Sequence, residues 1–239
     1  METDHIVSSF DDELNKLHSI IAEMGGLCEQ QLAMAITALV KCDSEKAEKV
    51  IKGDKEIDHL EQEVDNLSLK ILALRQPMAE DLRAVMAALK TASNLERIGD
   101  YAKNIAKRSI TLGQTEPIGN ASGTIQRMGD LVQVMIKNVL DAYMESDGAK
   151  AEDVRARDKE VDVLHTSLFR ELLTYMMEVP STITPCAHLL FIAKNIERIG
   201  DHATSIAEYV HFRVNGHTPL EARAKGDDSS KIFVKPEDV

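Results

Sequence analysis

Residues 94–100 read N-L-E-R-I-G-D, and residues 195–201 read N-I-E-R-I-G-D. A second motif is doubled upstream, where D-K-E-I-D at 54–58 returns as D-K-E-V-D at 158–162. Met24-Gly25 likewise returns as Met128-Gly129. Three matches in one order, offset by about 101–104 residues, indicate that the 239-residue chain contains an internal duplication.

Each copy is predicted to form three long helices, because its apolar residues recur at spacings of three and four. The stripes lie at 14–24, 50–74 and 85–105 in the first copy and at 125–139 and 154–175 in the second, whose last helix follows a break at 180–185. Asp43 is expected to cap the second helix and Pro77 to begin the third. No segment alternates with a period of two, so no strands are predicted. The predicted fold class is all-α, with two tandem three-helix bundles, six long helices in all, related by internal duplication.

Three regions follow from this pattern: a first repeat at 1–113, a second repeat at 120–215 and a mobile C-terminal tail at 216–239. The tail is rich in Gly, Pro, Asp and Ser, which is typical of a chain end without packed structure. It contains one short apolar patch, I-F-V at 232–234. A disordered end is favoured over a docking role for this patch.

The composition limits the function classes. Hydrophobic residues make up 44% of the chain, aromatic residues 4%, and there are ten Met and no Trp, as is typical of helical bundles. A net charge of −12 argues against nucleic-acid binding and suits a cationic partner or a metal ion. The three Cys lack C-x-x-C spacing and are expected to be reduced, buried thiols. Neither a secretory signal nor a membrane-spanning stretch is predicted, so we expect a cytoplasmic protein that meets membranes only through partner proteins.

Carboxylates four residues apart on a helix share one face, and each repeat has two such pairs. They are Asp54 with Asp58, Glu96 with Asp100, Asp158 with Asp162, and Glu197 with Asp201. If the second and third helices of each repeat are neighbours, four carboxylates converge in each repeat. An oxygen-rich cluster of this kind suits Mg²⁺, Mn²⁺ or iron. The two clusters are expected to differ, because Glu61 and Asp65 of the first copy correspond to His165 and Phe169 of the second.

The alternative is that these pairs form solvated or salt-bridged helix faces. Lys103 and Lys107 follow the first pair on nearly the same side of the helix and are able to neutralise it. The second copy has Thr204 and Glu208 at those positions, where unneutralised like charges would be mildly destabilising. The second copy therefore favours a bound metal ion over a simple salt-bridged face.

Gly99 and Gly200 are predicted to lie in the middle of helices, where each costs about 1 kcal/mol relative to Ala. A cost that is repeated in both copies favours close helix approach beside the carboxylates. Arg97 and Arg198 lie about 100° around the helix from the acids. We expect them to reach a neighbouring helix or a partner.

The doubled motif closely resembles the PhoU family of phosphate-specific transport accessory proteins. R-Q-P at 75–77, D-L-R at 81–83 and M-G-G at 24–26 are also similar to that family, and the likeness covers about residues 5–213. The resemblance implies two three-helix bundles in pseudo-twofold relation, usually forming a homodimer. It also implies bound metal ions (iron, manganese, magnesium or zinc) on the acidic faces. Carried over residue by residue, the implied metal ligands are Asp54, Asp58, Glu96, Asp100, Asp158, Asp162, Glu197 and Asp201.

The resemblance further implies a non-enzymatic negative regulator of the phosphate-starvation (Pho) response. The implied partners are the ATPase subunit of the phosphate ABC importer and a phosphate-sensing histidine kinase, with no nucleic acid. One alternative is a metal-dependent hydrolase or redox enzyme, for which the sequence offers no Walker loop, no G-x-S-x-G and no H-E-x-x-H, and only one supporting Glu-x-x-His, at Glu56 and His59. The other alternative is a scaffold without metal.

Overall fold

The computed structural model describes residues 2–221, 223 and 225–232, and for residues 2–9 it describes the backbone alone. Its long helices are α1 (Glu2–Lys41), α2 (Ser44–Arg75), α3 (Glu80–Leu112), α4 (Ala121–Glu145), α5 (Gly148–Glu178) and α6 (Ile183–Asn215). The described ranges contain no strand, and the all-α prediction with three helices in each repeat is confirmed. Within the same ranges, no helix is both long and apolar enough to cross a membrane.

Equivalent caps begin the second helix of each repeat. The Asp43 carboxylate accepts a hydrogen bond of 2.9 Å from the backbone N–H of Lys46, which confirms the predicted cap of α2. Asp147 does the same before α5, where it accepts from the backbone N–H groups of Ala149 and Lys150 at 2.9 and 3.0 Å. Each cap satisfies N–H groups that the first helical turn leaves without a partner.

The expectation that Pro77 begins the third helix is wrong, because α3 starts at Glu80. Gln76 and Ala79 have positive φ angles of 48° and 49°. This left-handed backbone on both sides of Pro77 turns the chain before the next helix can begin. The predicted break at 180–185 is a short 3₁₀ turn, Pro180–Thr182, directly before α6.

The apolar stripes of both repeats meet in one continuous core. Within each repeat the three helices pack on one another, and between repeats α3 packs on α6 and α1 on α4. Leu74, the last residue of the predicted α2 stripe, is 68% exposed and lies outside this core. Cys28 and Cys186 are buried as expected, but Cys42 is exposed because it lies in the turn after α1.

Two glycines allow α1 and α4 to approach closely across the boundary between the repeats. A Cβ atom on Gly25 of α1 would lie 2.5 Å from Cδ1 of Leu140 on α4. A Cβ atom on Gly129 of α4 would lie 2.9 Å from Cγ1 of Ile36 on α1. Gly25 corresponds to Gly129 in the duplication, and Ile36 corresponds to Leu140. The two contacts are therefore equivalent, as expected for two units related by a pseudo-twofold axis.

We predict opposite effects for alanine at two glycines of this sequence. Gly129→Ala should lower the free energy of unfolding by about 1 kcal/mol, because overpacking against the stiff Ile36 side chain outweighs the gain in helix propensity. Gly26→Ala is the matched control: nothing lies within 4 Å of a Cβ atom there, so it should raise the free energy by about 0.5–1 kcal/mol. Urea unfolding followed by circular dichroism measures both. Equal effects of the two substitutions would contradict the close approach of α1 and α4.

Candidate functional site

The neighbouring helices bring the predicted acidic pairs together in each repeat. In the first repeat α2 packs on α3, and in the second α5 packs on α6. We call the group Asp54, Asp58, Glu96 and Asp100 the first cluster, and the group Asp158, Asp162, Glu197 and Asp201 the second cluster. Neighbouring carboxylates are close enough to help raise the pKa values of Asp58 and Glu96 in the first cluster and of Asp158 and Glu197 in the second. The predicted convergence of the pairs therefore fits the packing of the helices.

Gly99 and Gly200 allow this close packing beside the carboxylates. A Cβ atom on Gly99 would lie 2.9 Å from Cδ1 of Ile57 and 3.7 Å from Oδ1 of Asp54. A Cβ atom on Gly200 would lie 3.1 Å from Oδ1 of Asp158. The prediction that the repeated mid-helix glycines serve close helix approach is confirmed.

A lysine side chain joins the two helices at the first cluster. The Lys103 ammonium lies 2.5 Å from Oδ2 of Asp54 on α2 and 2.6 Å from Oδ1 of Asp100 on its own helix. Asp54 is 4% exposed, so this ion pair neutralises a buried carboxylate. The alternative prediction, that Lys103 pairs with the acids, is therefore confirmed for Lys103, and its ion pair with Asp54 joins α3 to α2. Lys107 is exposed.

Arg97 also contacts the first cluster, so the expectation that it points away from the acids is wrong. Its guanidinium lies 3.4 Å from the Glu96 carboxylate and 3.5 Å from that of Asp100. The flexible side chain reaches back around the helix surface, where Arg97 itself is exposed. Arg198 behaves as expected, because its guanidinium lies over the Tyr101 ring of α3, 5.9 Å from the ring centre.

Burial and neighbouring charges shift the pKa values of three acids of the first cluster in different directions. Burial, together with the nearby Asp100 carboxylate, raises the pKa of Glu96 to about 7. Burial and the Asp54 carboxylate raise the pKa of Asp58. Burial opposes ionisation of Asp100 as well, but the hydrogen bond from Lys103 wins and lowers its pKa. Of these three carboxyl groups, Asp100, which pairs with Lys103, therefore ionises most readily.

The second cluster is more deeply buried than the first. Asp158, Asp162 and Glu197 are 1%, 2% and 4% exposed, whereas Asp58 and Glu96 of the first cluster are only half-buried. Burial raises the pKa of Asp158 to about 6 and raises that of Glu197. A residue from the C-terminal segment, Arg223, supplies the opposing positive charge.

Arg223 joins α5 to α6 as Lys103 joins α2 to α3. One guanidinium nitrogen lies 3.1 Å from Oδ2 of Asp158, and the guanidinium also donates hydrogen bonds to Asp201 and Thr204. Lys194 Nζ adds a second positive charge 2.9 Å from Oε2 of Glu197. The sequence did not predict Arg223 as a site residue, because it lies in the predicted tail and no helical pattern there indicates which residues it contacts.

The acidic donor sets would suit a divalent cation in composition. Asp158 Oδ2 and Glu197 Oε2 are buried and lack a hydrogen bond of good geometry despite their ion pairs, which is a property of oxygens available for coordination. Within the described side chains, however, no three or more His, Cys, Asp or Glu residues are placed to hold one ion together. The metal role of the eight carboxylates stays a prediction, in which Lys103 or Arg223 would have to leave the carboxylates with which it pairs.

Comparison with known proteins was made against family models, sequences and solved structures. A family model described as PhoU domain matches residues 21–109 and 125–210. The phosphate-specific transport system accessory protein PhoU homolog of Caulobacter vibrioides is 48% identical over 225 residues, which cover 94% of this chain and 98% of that protein. The homolog of Rhizobium meliloti is 48% identical over 229 residues, covering 95% of this chain and 96% of that protein.

Two solved structures share the fold. The crystal structure of PhoU from Pseudomonas aeruginosa matches with a TM-score of 0.84 at 39% identity, covering 87% of this chain and 99% of that one. The phosphate transport system regulatory protein PhoU from Streptococcus pneumoniae matches with a TM-score of 0.82 at 27% identity, covering 88% and 99%. Both similarities extend over nearly the whole of the compared chains.

We predict that Lys103 stabilises the first repeat by neutralising Asp54. Lys103→Met should lower the free energy of unfolding by about 2 kcal/mol, because it leaves a buried carboxylate without its cation. Lys107→Met, one turn further along the same helix, is the control and should change it by less than about 0.5 kcal/mol. Adding Asp54→Asn to Lys103→Met should recover most of the loss. Denaturant unfolding measures all three variants, and no recovery in the double variant would contradict the pairing.

Proposed function

The chain belongs to the PhoU family, and we propose that it is a non-enzymatic regulator of phosphate transport that holds the phosphate-starvation response off when phosphate is plentiful. The observation that carries the proposal is 48% identity, over nearly the full length of both chains, with proteins named as phosphate-specific transport accessory proteins. The S. pneumoniae neighbour is named as a regulatory protein of the phosphate transport system. These names support a regulatory role for a protein with this fold.

In the proposed mechanism the protein is a cytoplasmic adaptor, forming a homodimer, between two membrane complexes. One partner is the ATPase subunit of the phosphate ABC importer and the other is a phosphate-sensing histidine kinase. A rigid all-helical platform suits this role because its continuous core fixes the position of surface charges on α2, α3, α5 and α6. Acidic surfaces of this kind favour encounter with basic partner surfaces.

Bound metal ions are a further part of the proposal. The carboxylates of the second cluster would hold a divalent cation when Arg223 withdraws, and the ion would supply positive charge that fixes α5 and α6 relative to each other. The first cluster is the weaker candidate, because Lys103 is anchored on α3 beside Asp100. An ion held in this way acts on the surface that partners meet.

Deleting the gene tests the regulatory role. In phosphate-rich medium the deletion should raise expression of phosphate-starvation genes to the level of phosphate-limited cells, and the wild-type gene should reverse the effect. A pull-down with the tagged protein from the same phosphate-rich culture should recover the importer ATPase or the sensor kinase. Recovering neither, with no change in gene expression on deletion, would overturn the proposed function.

Elemental analysis tests the metal role independently. Protein purified without chelators should carry at least one divalent metal ion per chain, and Glu197→Gln should lower that content because it removes a carboxylate charge of the second cluster. Glu96→Gln, the equivalent change in the first cluster, is the matched control and should alter the content little. Fewer than one ion per wild-type chain would favour a regulatory scaffold without metal.

A further inference from the structure

The C-terminal segment lies across the second cluster along a defined path. Arg155 of α5 donates a hydrogen bond of 2.8 Å to the backbone carbonyl of Glu221. Two residues further, Arg223 reaches Asp158 and Asp201. We call residues 221, 223 and 225–229 the strap. The strap thus connects α5 to α6 at the position where the two acidic helices meet.

The backbone of the strap approaches the cluster closely at Gly226. Its N–H donates a hydrogen bond of 2.7 Å to Oδ2 of Asp162. A Cβ atom there would lie 3.2 Å from Cβ of Asp162 and 3.2 Å from the backbone oxygen of Lys159. Only a residue without a side chain allows this approach at no cost to its neighbours.

An acidic residue of the strap meets the basic residues beside the cluster. One Asp227 oxygen lies 3.2 Å from Nζ of Lys194, and the other lies 3.5 Å from Nδ1 of His165. The following residue continues the contact, since the Asp228 N–H donates to Thr166 at 3.2 Å. Charges of both signs therefore match along the strap, with Arg223 beside Asp158 and Asp201 and Asp227 beside Lys194.

The two repeats differ at the positions that the strap contacts. Thr204, which binds Arg223, stands where the first repeat has Lys103. His165, which faces Asp227, stands where the first repeat has the acidic Glu61. At the position of Lys103 the second repeat has thus lost a helix-borne cation, and at the position of Glu61 it has gained a partner for an acidic strap residue, and both changes fit an occupant from outside the helices.

We propose that the second cluster is a docking site for the chain's own strap, and that a divalent cation competes with Arg223 for Asp158 and Asp201. The competition rests on the proposed metal role, whereas the docking contacts do not. With the strap docked, the Arg223 guanidinium pairs with Asp158 and Asp201, and the backbone N–H of Gly226 donates to Asp162. With an ion bound, the strap is released and the guanidinium of Arg223 becomes available to solvent or to an acidic partner. Such coupling is reciprocal: the factor by which the docked strap lowers the affinity for the metal ion equals the factor by which the bound ion weakens docking of the strap.

Binding of Mn²⁺ by three variants of the full chain tests the competition. Arg223→Gln should bind Mn²⁺ about tenfold more tightly than the wild type, because the competing cation is gone. Asp227→Ala should also bind Mn²⁺ more tightly, because it releases the strap while leaving Arg223 intact. Lys231→Gln is the control, since its exposed side chain pairs with Asp228, and it should leave Mn²⁺ affinity unchanged. Isothermal titration calorimetry measures all four proteins.

The Asp227→Ala variant separates strap release from local electrostatics. Removing a negative charge beside the cluster should weaken Mn²⁺ binding if only local charge matters, so tighter binding requires release of the strap. Tighter binding in Arg223→Gln but not in Asp227→Ala would therefore overturn the proposal. So would the failure of every variant to bind Mn²⁺, although that outcome leaves the phosphate-regulation test by gene deletion unaffected.

Hydrogen exchange gives the reciprocal measurement. Mass spectrometry of the peptide covering residues 221–232 should show protection in the wild type and in Lys231→Gln, and roughly tenfold faster exchange in Arg223→Gln and Asp227→Ala. Saturating Mn²⁺ should bring the wild type to the same fast exchange. An exchange rate that Mn²⁺ leaves unchanged, while Mn²⁺ binding is measured in the same sample, would contradict the competition.

Discussion

In each half of the molecule, a positive charge joins a buried aspartate on one helix to a half-buried aspartate on the next. Glycine lets α3 and α6 pack closely on their neighbours, and this close packing buries Asp54 and Asp158. A buried carboxylate without a cation would cost several kcal/mol. A cation, whether an ammonium, a guanidinium or a metal ion, therefore stabilises the ionised form of the acidic motif in a packed bundle.

The duplication meets this requirement in two different ways. In the first repeat the cation, Lys103, is part of the helix and stands three residues from Asp100, so it is always nearby. In the second repeat the cation, Arg223, comes from a segment beyond α6 and must be brought to the cluster by chain folding. A cation that is part of the helix stays beside its cluster, whereas a cation on a separate segment can leave the cluster and be replaced by another. The same acidic motif is therefore neutralised from within the helix in one repeat and from a separate segment in the other.

The helices and the acidic pairs were predictable from the sequence because both are local. Helical spacing alone places Asp54 with Asp58 on one face, and the repeated glycines indicated where two helices approach. The strap was not predictable, because its contacts join residues as far apart as Arg155 and Glu221 and its composition is that of an unpacked end. The start of α3 was missed for a local reason: the sequence of the turn does not reveal the left-handed backbone at Ala79. Of the predicted tail, residues 222, 224 and 233–239, with most of the apolar patch at 232–234, lie outside the described residues.

The strap lies beyond the matched PhoU domain, but the similarity to full-length relatives, which covers 94–95% of this chain, extends into it. The PhoU family model matches residues 21–109 and 125–210, which include both clusters and Lys103 but end before Arg223. The matched domain therefore carries both acidic clusters and the cation that joins the helices of the first, whereas Arg223, which joins those of the second, comes from outside it. In the proposed function, in which partners meet a helical platform through surface charge, the second cluster is the place where that charge changes. In the proposed competition, docking and release of the strap set the charge that those partners meet.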